Sequence, residues 1–187
     1  MDVTETTFEQ DVIERSHKTP VIVDFWAEWC GPCHALAPVL AGEVSNRAGD
    51  VVLAKVDVDA NPGLSATYRI QGIPAVKGFR DGRVVAEFVG APSPTAVASF
   101  VDELLAPPRV SGVVEELRAS GELPGVLEAL EAEDEERALD LILGEIPGSA
   151  PERREWLREL AVAVFHDLGH ESPVTVAYRR RLATALY

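Results

Sequence analysis

Cysteine is scarce in this chain: 187 residues carry two, alongside a single methionine. Two cysteines cannot make a disulfide framework, so the core must hold the fold, and such a chain fits a reducing cytoplasm. No run of about 18 apolar residues occurs, which leaves no helix able to span a membrane. The start, Met1-Asp2-Val3-Thr4-Glu5-Thr6-Thr7, has neither the basic residues nor the apolar core of a secretory signal. Positive charge is short as well. With 17 Lys and Arg against 31 Asp and Glu, the net charge of −14 would repel phosphate backbones, which argues against general nucleic-acid binding and favours basic partners. Length and an apolar fraction of 47% suit one ordinary folded domain plus a smaller unit.

Both cysteines fall in Trp29-Cys30-Gly31-Pro32-Cys33-His34, shortly after the apolar run Val21-Ile22-Val23-Asp24-Phe25-Trp26. A strand, a short loop and a helix beginning near Cys30 are expected, and the spacing lets the first turns of that helix bring the two sulfurs together. A thiol at a helix N-terminus meets unpaired N–H groups and the positive end of the helix dipole, which lowers its pKa from about 8.5 toward about 7. Cys30 is therefore the expected nucleophile, and Cys33, one turn further in, the more buried resolving thiol. Pro32 suits a first turn, where its missing N–H costs nothing, and Gly31 lets a partner backbone come close. Two other readings of the motif exist. A zinc site lacks the second cysteine pair that would close its tetrahedron. Cys-x-x-Cys-His also spells a c-type haem attachment site, which goes with exported chains. Redox use, with the Cys30–Cys33 disulfide in place of any metal or separate cofactor, accounts for the motif best.

Asp24 interrupts a run that otherwise reads as a strand buried on both faces. An ionised, unpaired carboxylate there would be expensive, so it should titrate high or find a partner, and it is placed to pass a proton to or from Cys33. Lys55, in Val51-Val52-Leu53-Ala54-Lys55-Val56-Asp57, is the candidate partner, although a lone lysine in a strand is equally an edge residue.

Thr6 or Thr7 is expected to cap a first helix through Glu14, with Phe8 and Val12 facing inward. A turn at Lys18-Thr19-Pro20 leads into the Asp24 strand. Leu36, Val39, Leu40 and Val44 keep helical spacing around Pro38, which should kink the helix. Leu64 to Arg69 reads as a short helix, and Pro74 opens the strand of Ala75-Val76-Lys77. Arg80-Asp81-Gly82-Arg83 reads as a hairpin turn, because Asp-Gly supplies positive φ, and Ser93-Pro94 starts a closing helix through Leu105.

This α-β-α-β-α-β-β-α order resembles the thioredoxin family, with Asp24, Trp26, Trp29, Cys30, Gly31, Pro32, Cys33, Lys55, Ile73, Pro74, Gly82 and Gly90 as matching residues. The resemblance implies an α/β thioredoxin fold, a central mixed sheet flanked by helices, with a cis Ile73–Pro74 bond facing the cysteines. It also implies a shallow groove at Trp29, Ile73 and Pro74 for extended protein substrates, with Gly31, Pro32 and Gly90 in the same substrate-binding set. Asp24 and Lys55 join the cysteines as catalytic candidates. Two residues depart from the family pattern: His34 stands where many relatives carry lysine, and Lys77 breaks a strand that is usually apolar.

Ala106-Pro107-Pro108-Arg109 marks a boundary, giving a thioredoxin domain over 1–106 and a second domain over 107–187. Beyond it, apolar residues fall at helical spacing: Val113, Val114 and Leu117; Leu123, Val126, Leu127 and Leu130; Leu139, Ile142, Leu143 and Ile146; then Leu157, Leu160, Ala161, Val164, Phe165 and Leu168. Asp134, Ser149 to Glu152 and Ser172-Pro173 read as helix starts, with Gly144, Gly148 and Gly169 near the stops. Helical hairpins of this kind build tetratricopeptide arrays, whose consensus residues are largely absent here. Taken with the first domain, Glu135-Glu136-Arg137-Ala138-Leu139, Glu145-Ile146-Pro147, Arg158-Glu159-Leu160 and Tyr178-Arg179-Arg180-Arg181-Leu182 resemble the bacterial chaperedoxins. That resemblance implies a cytoplasmic holdase which protects unfolding client proteins, forms mixed disulfides with them and passes them to the bacterial chaperonin. The tail has room for about two hairpins, short for a peptide groove. The rival functions are a general disulfide reductase, recycled by a thioredoxin reductase and merely stabilised by its tail, and a redox-inactive adaptor. Within the last helix, from Ser172 to Tyr187, Arg179, Arg180 and Arg181 are candidates for docking an acidic partner, and Val174, Ala177, Tyr178 and Arg181 would share one face.

Overall fold

A computed structural model describes residues 1–47 and 49–186, which divide into two compact units, Met1–Ala106 and Pro107–Tyr187. In the first, strands β1 (Val21–Trp26), β2 (Val52–Asp57), β3 (Ala75–Arg80) and β4 (Arg83–Val89) form one sheet in the order β2-β1-β3-β4. Strand β1 pairs parallel with β2 and antiparallel with β3, and β3 pairs antiparallel with β4. Its central place explains why a nearly all-apolar segment forms it, since both faces are covered.

The strand's period of two divides the core. Val21, Val23 and Phe25 pack with Phe8, Val12 and Phe79, whereas Ile22 packs with helices α1 (Gly31–Asn46) and α3 (Pro94–Leu105) through Leu36, Leu40, Val97, Phe100, Val101 and Leu104. Each such fully buried aliphatic side chain stabilises the fold by about 1.5–3 kcal/mol. Asp24 and Trp26 take the Ile22 face by the same alternation. Helix α2 (Pro62–Thr67) lies between β2 and β3 in the chain. The free edge of β2 is covered by the N-terminal residues, where Val3 N donates to Lys55 O and Lys55 N to Met1 O, each at 2.9 Å.

The first helical segment, Glu9–Glu14, is wound more widely than an α-helix, and Phe8 and Val12 are buried as expected. Its expected threonine cap is absent: the Thr7 hydroxyl instead accepts the Thr4 N–H at 3.2 Å. Asp81 and Gly82, at φ 52° and 74°, make the β3–β4 turn, and Gly82 N donates to Ser16 Oγ at 2.8 Å. A β-carbon at Gly82 would also stand 3.1 Å from His17 Nε2, a second reason for glycine there. Pro38 lies inside α1, which continues through it.

The second unit contains helices α4 (Arg109–Ser120), α5 (Pro124–Glu131), α6 (Glu135–Glu145), α7 (Pro151–Leu168) and α8 (Pro173–Leu186). Helix α4 packs on α5 and α7, α5 on α6, α6 on α7 and α8, and α7 on α8. Leu117, Leu139, Ile142, Ile146, Leu157 and Val164 are among its fully enclosed side chains. The Asp134 carboxylate caps α6 by accepting Arg137 N at 3.0 Å. Gly148 (φ 84°) and Gly169 (φ 83°) follow α6 and α7, and Gly144 is the last residue but one of α6. In α8 the buried stripe is Thr175, Tyr178 and Leu182, with Val174 and Ala185 beside it; Ala177 and Arg181 are exposed, because α8 rests on both α6 and α7. Tyr187, the end of the expected last helix, lies outside the described residues. Among the described residues, no helix is long and apolar enough to cross a membrane.

Candidate active site

Cys30 and Cys33 are joined by a disulfide at the start of α1. Cys30 is the N-cap residue, in extended conformation, and its Sγ accepts the Cys33 N–H at 3.2 Å. The helix begins there because Cys30 and Pro32 both suit its first turn: the cap leaves the helix, and proline needs no N–H partner. Both sulfur-bearing residues are buried, Cys30 at 3% and Cys33 at 1% exposure. Their positions do differ, since only Cys30 lies at the helix end where unpaired N–H groups gather. Trp26, Val58 and Ile73 pack around the pair.

One side of the site is open. Gly31 and Pro32 are exposed, and a β-carbon on Gly31 would meet empty space. Trp29 is 70% exposed, yet its ring is fixed: Nε1 donates to Asp59 Oδ2 at 2.7 Å. Ile73 is half-buried against the cysteines, and its bond to Pro74 is cis. Gly90, at φ 91°, donates its N–H to Pro74 O at 2.8 Å, tying the end of β4 to that loop. The sequence alone does not single out Asp59; an acid in the loop leaving the strand beside β1 was the available signal.

Asp24, on the central strand β1, is 1% exposed, with Oδ1 lacking a hydrogen-bond partner among the described residues. Burial pushes its carboxyl up to about 6, outweighing the Lys55 charge, which pulls the other way. Lys55 is its register partner on β2 and is half-buried; its Nζ stands 4.0 Å from the Trp26 ring centroid. His34 is exposed, with Nε2 2.8 Å from Glu28 O and its ring in edge contact with Trp26. A carbonyl only accepts, so Nε2 carries the proton in that bond. Lys77, which interrupts β3, pairs with Glu87 on β4.

The arginines lie in the other unit and are not equivalent. Arg181 Nη1 is 2.7 Å from Asp140 Oδ1, which also accepts from Tyr178 Oη at 3.0 Å. Arg179 Nη2 lies 2.8 Å from His170 Nδ1. Arg180 is exposed, with no side-chain partner among the described residues. No group of three or more His, Cys, Asp or Glu that could hold a metal occurs among those residues either.

A cysteine pair bridged at a helix N-terminus and beside an exposed tryptophan, in a unit whose central strand buries a carboxylate, defines a dithiol–disulfide redox module that needs no separate cofactor. The chain belongs to the thioredoxin family, whose model matches residues 1–103. It is 46% identical over 104 residues to "Thioredoxin C-2" of Corynebacterium nephridii, covering 55% of this chain and 94% of that protein. It is 42% identical over 102 residues to "Thioredoxin" of Pseudomonas aeruginosa, covering 54% and 93%. "Thioredoxin" of Mycobacterium tuberculosis is 44% identical over 95 residues, covering 51% and 80%. A tetratricopeptide-repeat model matches residues 126–187. The chain is thus a thioredoxin-like redox module carrying a tetratricopeptide-like tail.

Proposed function

We propose that this chain is a cytoplasmic, redox-competent holdase of the chaperedoxin kind, in which residues 1–106 exchange disulfides and residues 107–187 help to hold unfolding proteins. The observation that carries this reading is the presence, in one chain, of an intact Cys30–Cys33 centre and a helical unit of a protein-binding type. In the reduced form the Cys30 thiolate attacks a client disulfide; one client sulfur leaves as thiolate and the other is bonded to Cys30. Cys33 then gives its proton to Asp24 and attacks Cys30 Sγ, which releases the second client thiolate and restores the Cys30–Cys33 bond. Trp29, Gly31, Pro32, Ile73, Pro74 and Gly90 form the face on which an extended client segment lies, and Lys55 adjusts the charge around Asp24.

Light scattering of a thermally unfolding client, run beside insulin reduction, tests this. The full chain should suppress aggregation, Cys30→Ser should keep that suppression while losing insulin reduction, and a chain ending at Ala106 should lose the suppression. If the full chain protects no better than an inert protein yet reduces insulin, the general-reductase reading replaces this one, with a thioredoxin reductase as recycling partner. If it protects clients without reducing insulin, the adaptor reading replaces it.

The bacterial chaperonin is the proposed recipient of clients, with α8 as the docking element. Arg179 and Arg181 are engaged within their own unit, which makes Arg180 the cleanest probe. Arg180→Glu should weaken chaperonin pull-down and reduce its salt dependence without touching thiol chemistry. Unchanged pull-down by a folded Arg180→Glu chain would reject docking through this residue.

A further inference from the structure

Around Asp24 lies an arrangement that the exchange steps above leave unused. Asp24 and Trp26 share one face of β1, and Lys55 and Asp57, their register partners, share the corresponding face of β2. A lysine opposite a buried carboxylate has the reach to close an ion pair across the two strands. Instead, Lys55 Nζ stands 4.0 Å from the centroid of the Trp26 ring, and Asp24 Oδ1 has no hydrogen-bond partner among the described residues. The ring is itself steadied by edge contact with His34, 6.2 Å between centroids, and His34 bonds to Glu28 O at 2.8 Å. A cation over an indole face is held about as well as one in a half-exposed ion pair, and it keeps more of its hydration than one drawn in beside Asp24. The ring and the carboxylate therefore compete for one ammonium.

We propose that Trp26 is a positioning residue: its indole face holds the Lys55 ammonium off the Asp24 carboxylate, so that burial rather than an ion pair governs how readily Asp24 takes a proton. Among the described residues, the charged or titratable groups on this side are Lys55 and Asp57 of β2 and, from α1, His34 and the Cys33 sulfur, which the disulfide of the oxidised chain removes from the titration. The neighbouring strand β3 presents Val76 opposite Asp24, and α3 presents Val97, Phe100, Val101 and Leu104 to the same core. Lys77 belongs to the opposite face of β3 and pairs with Glu87. The inference rests on the reading of Asp24 as proton carrier for Cys33, but its test does not need that reading.

Carbon-13 NMR titration of the Asp24 carboxyl in the oxidised full chain provides the test, with Trp26→Leu, Trp26→Phe, Lys55→Met and both double variants. Trp26→Leu should release Lys55 toward Asp24 and lower its midpoint by about one pH unit. Trp26→Phe should lower it less, because a phenyl face holds a cation more weakly than indole. In the Lys55→Met background both changes should vanish. A lowering of equal size without Lys55 would mean that water entry causes it, and an unchanged or raised midpoint would mean that the ring restrains nothing; either overturns the proposal. Should Trp26→Leu fail to fold, the Trp26→Phe pair alone decides. If the midpoint moves as expected but the pH profile of Cys33 attack does not follow, the positioning role of Trp26 stands and the proton-carrier role of Asp24 falls.

Discussion

Asp24 is the residue whose proposed proton-carrying role and effect on stability pull in opposite directions. Its carboxyl, raised from 3.8 to about 6 by burial, binds a proton more tightly folded than unfolded. The folded state therefore gains from protonation below about pH 4 and loses that gain as pH rises through about 6, a difference of about 3 kcal/mol across that interval. Asp24→Asn should accordingly raise stability near pH 7 by about 1–2 kcal/mol, since the buried amide has unmet hydrogen bonds of its own, and should flatten the fall between pH 4 and 6. Urea unfolding at pH 4, 6 and 8 checks it. An unchanged pH dependence in the variant would place the cost elsewhere. Most of this was readable from one carboxylate in an apolar run. The place of Lys55 was not, because register says only which residues face each other, and the choice between carboxylate and indole depends on side-chain geometry.

Among the elements, strands, hairpin and helices of the first unit were readable because short apolar runs, Asp81-Gly82 and Ser93-Pro94 are local signals. Ser93 does cap α3, accepting Ala96 N at 3.3 Å. Failures came where tertiary contacts decide. The Thr7 hydroxyl takes the Thr4 N–H rather than a helix-end donor, and α8, packed on both α6 and α7, buries Thr175, Tyr178 and Leu182 while leaving Ala177 and Arg181 exposed. That stripe encloses Thr175, fully buried with Oγ1 unpartnered among the described residues. A hydroxyl in that position costs desolvation without a compensating bond, while valine has nearly the same shape. Thr175→Val should therefore stabilise the chain by about 1 kcal/mol, read as a rise in thermal midpoint. A fall would show that the hydroxyl has a partner in solution, such as a bound water.

At the level of the whole molecule, the two units were foreshadowed by Ala106-Pro107-Pro108-Arg109, and the redox function by six consecutive residues. The tail's role was less accessible: a packed helical core is built from leucine and valine whatever it binds, whereas a redox centre needs cysteines at one spacing. Thiol exchange led by Cys30 is thus the claim on which the rest depends, and mixed-disulfide trapping addresses it directly. Full-length Cys33→Ser and Cys30→Ser chains, incubated with oxidised cytoplasmic proteins and separated without reductant, should differ: Cys33→Ser should accumulate reducible adducts and Cys30→Ser should not. Equal trapping by both, or trapping by Cys30→Ser alone, would contradict the account.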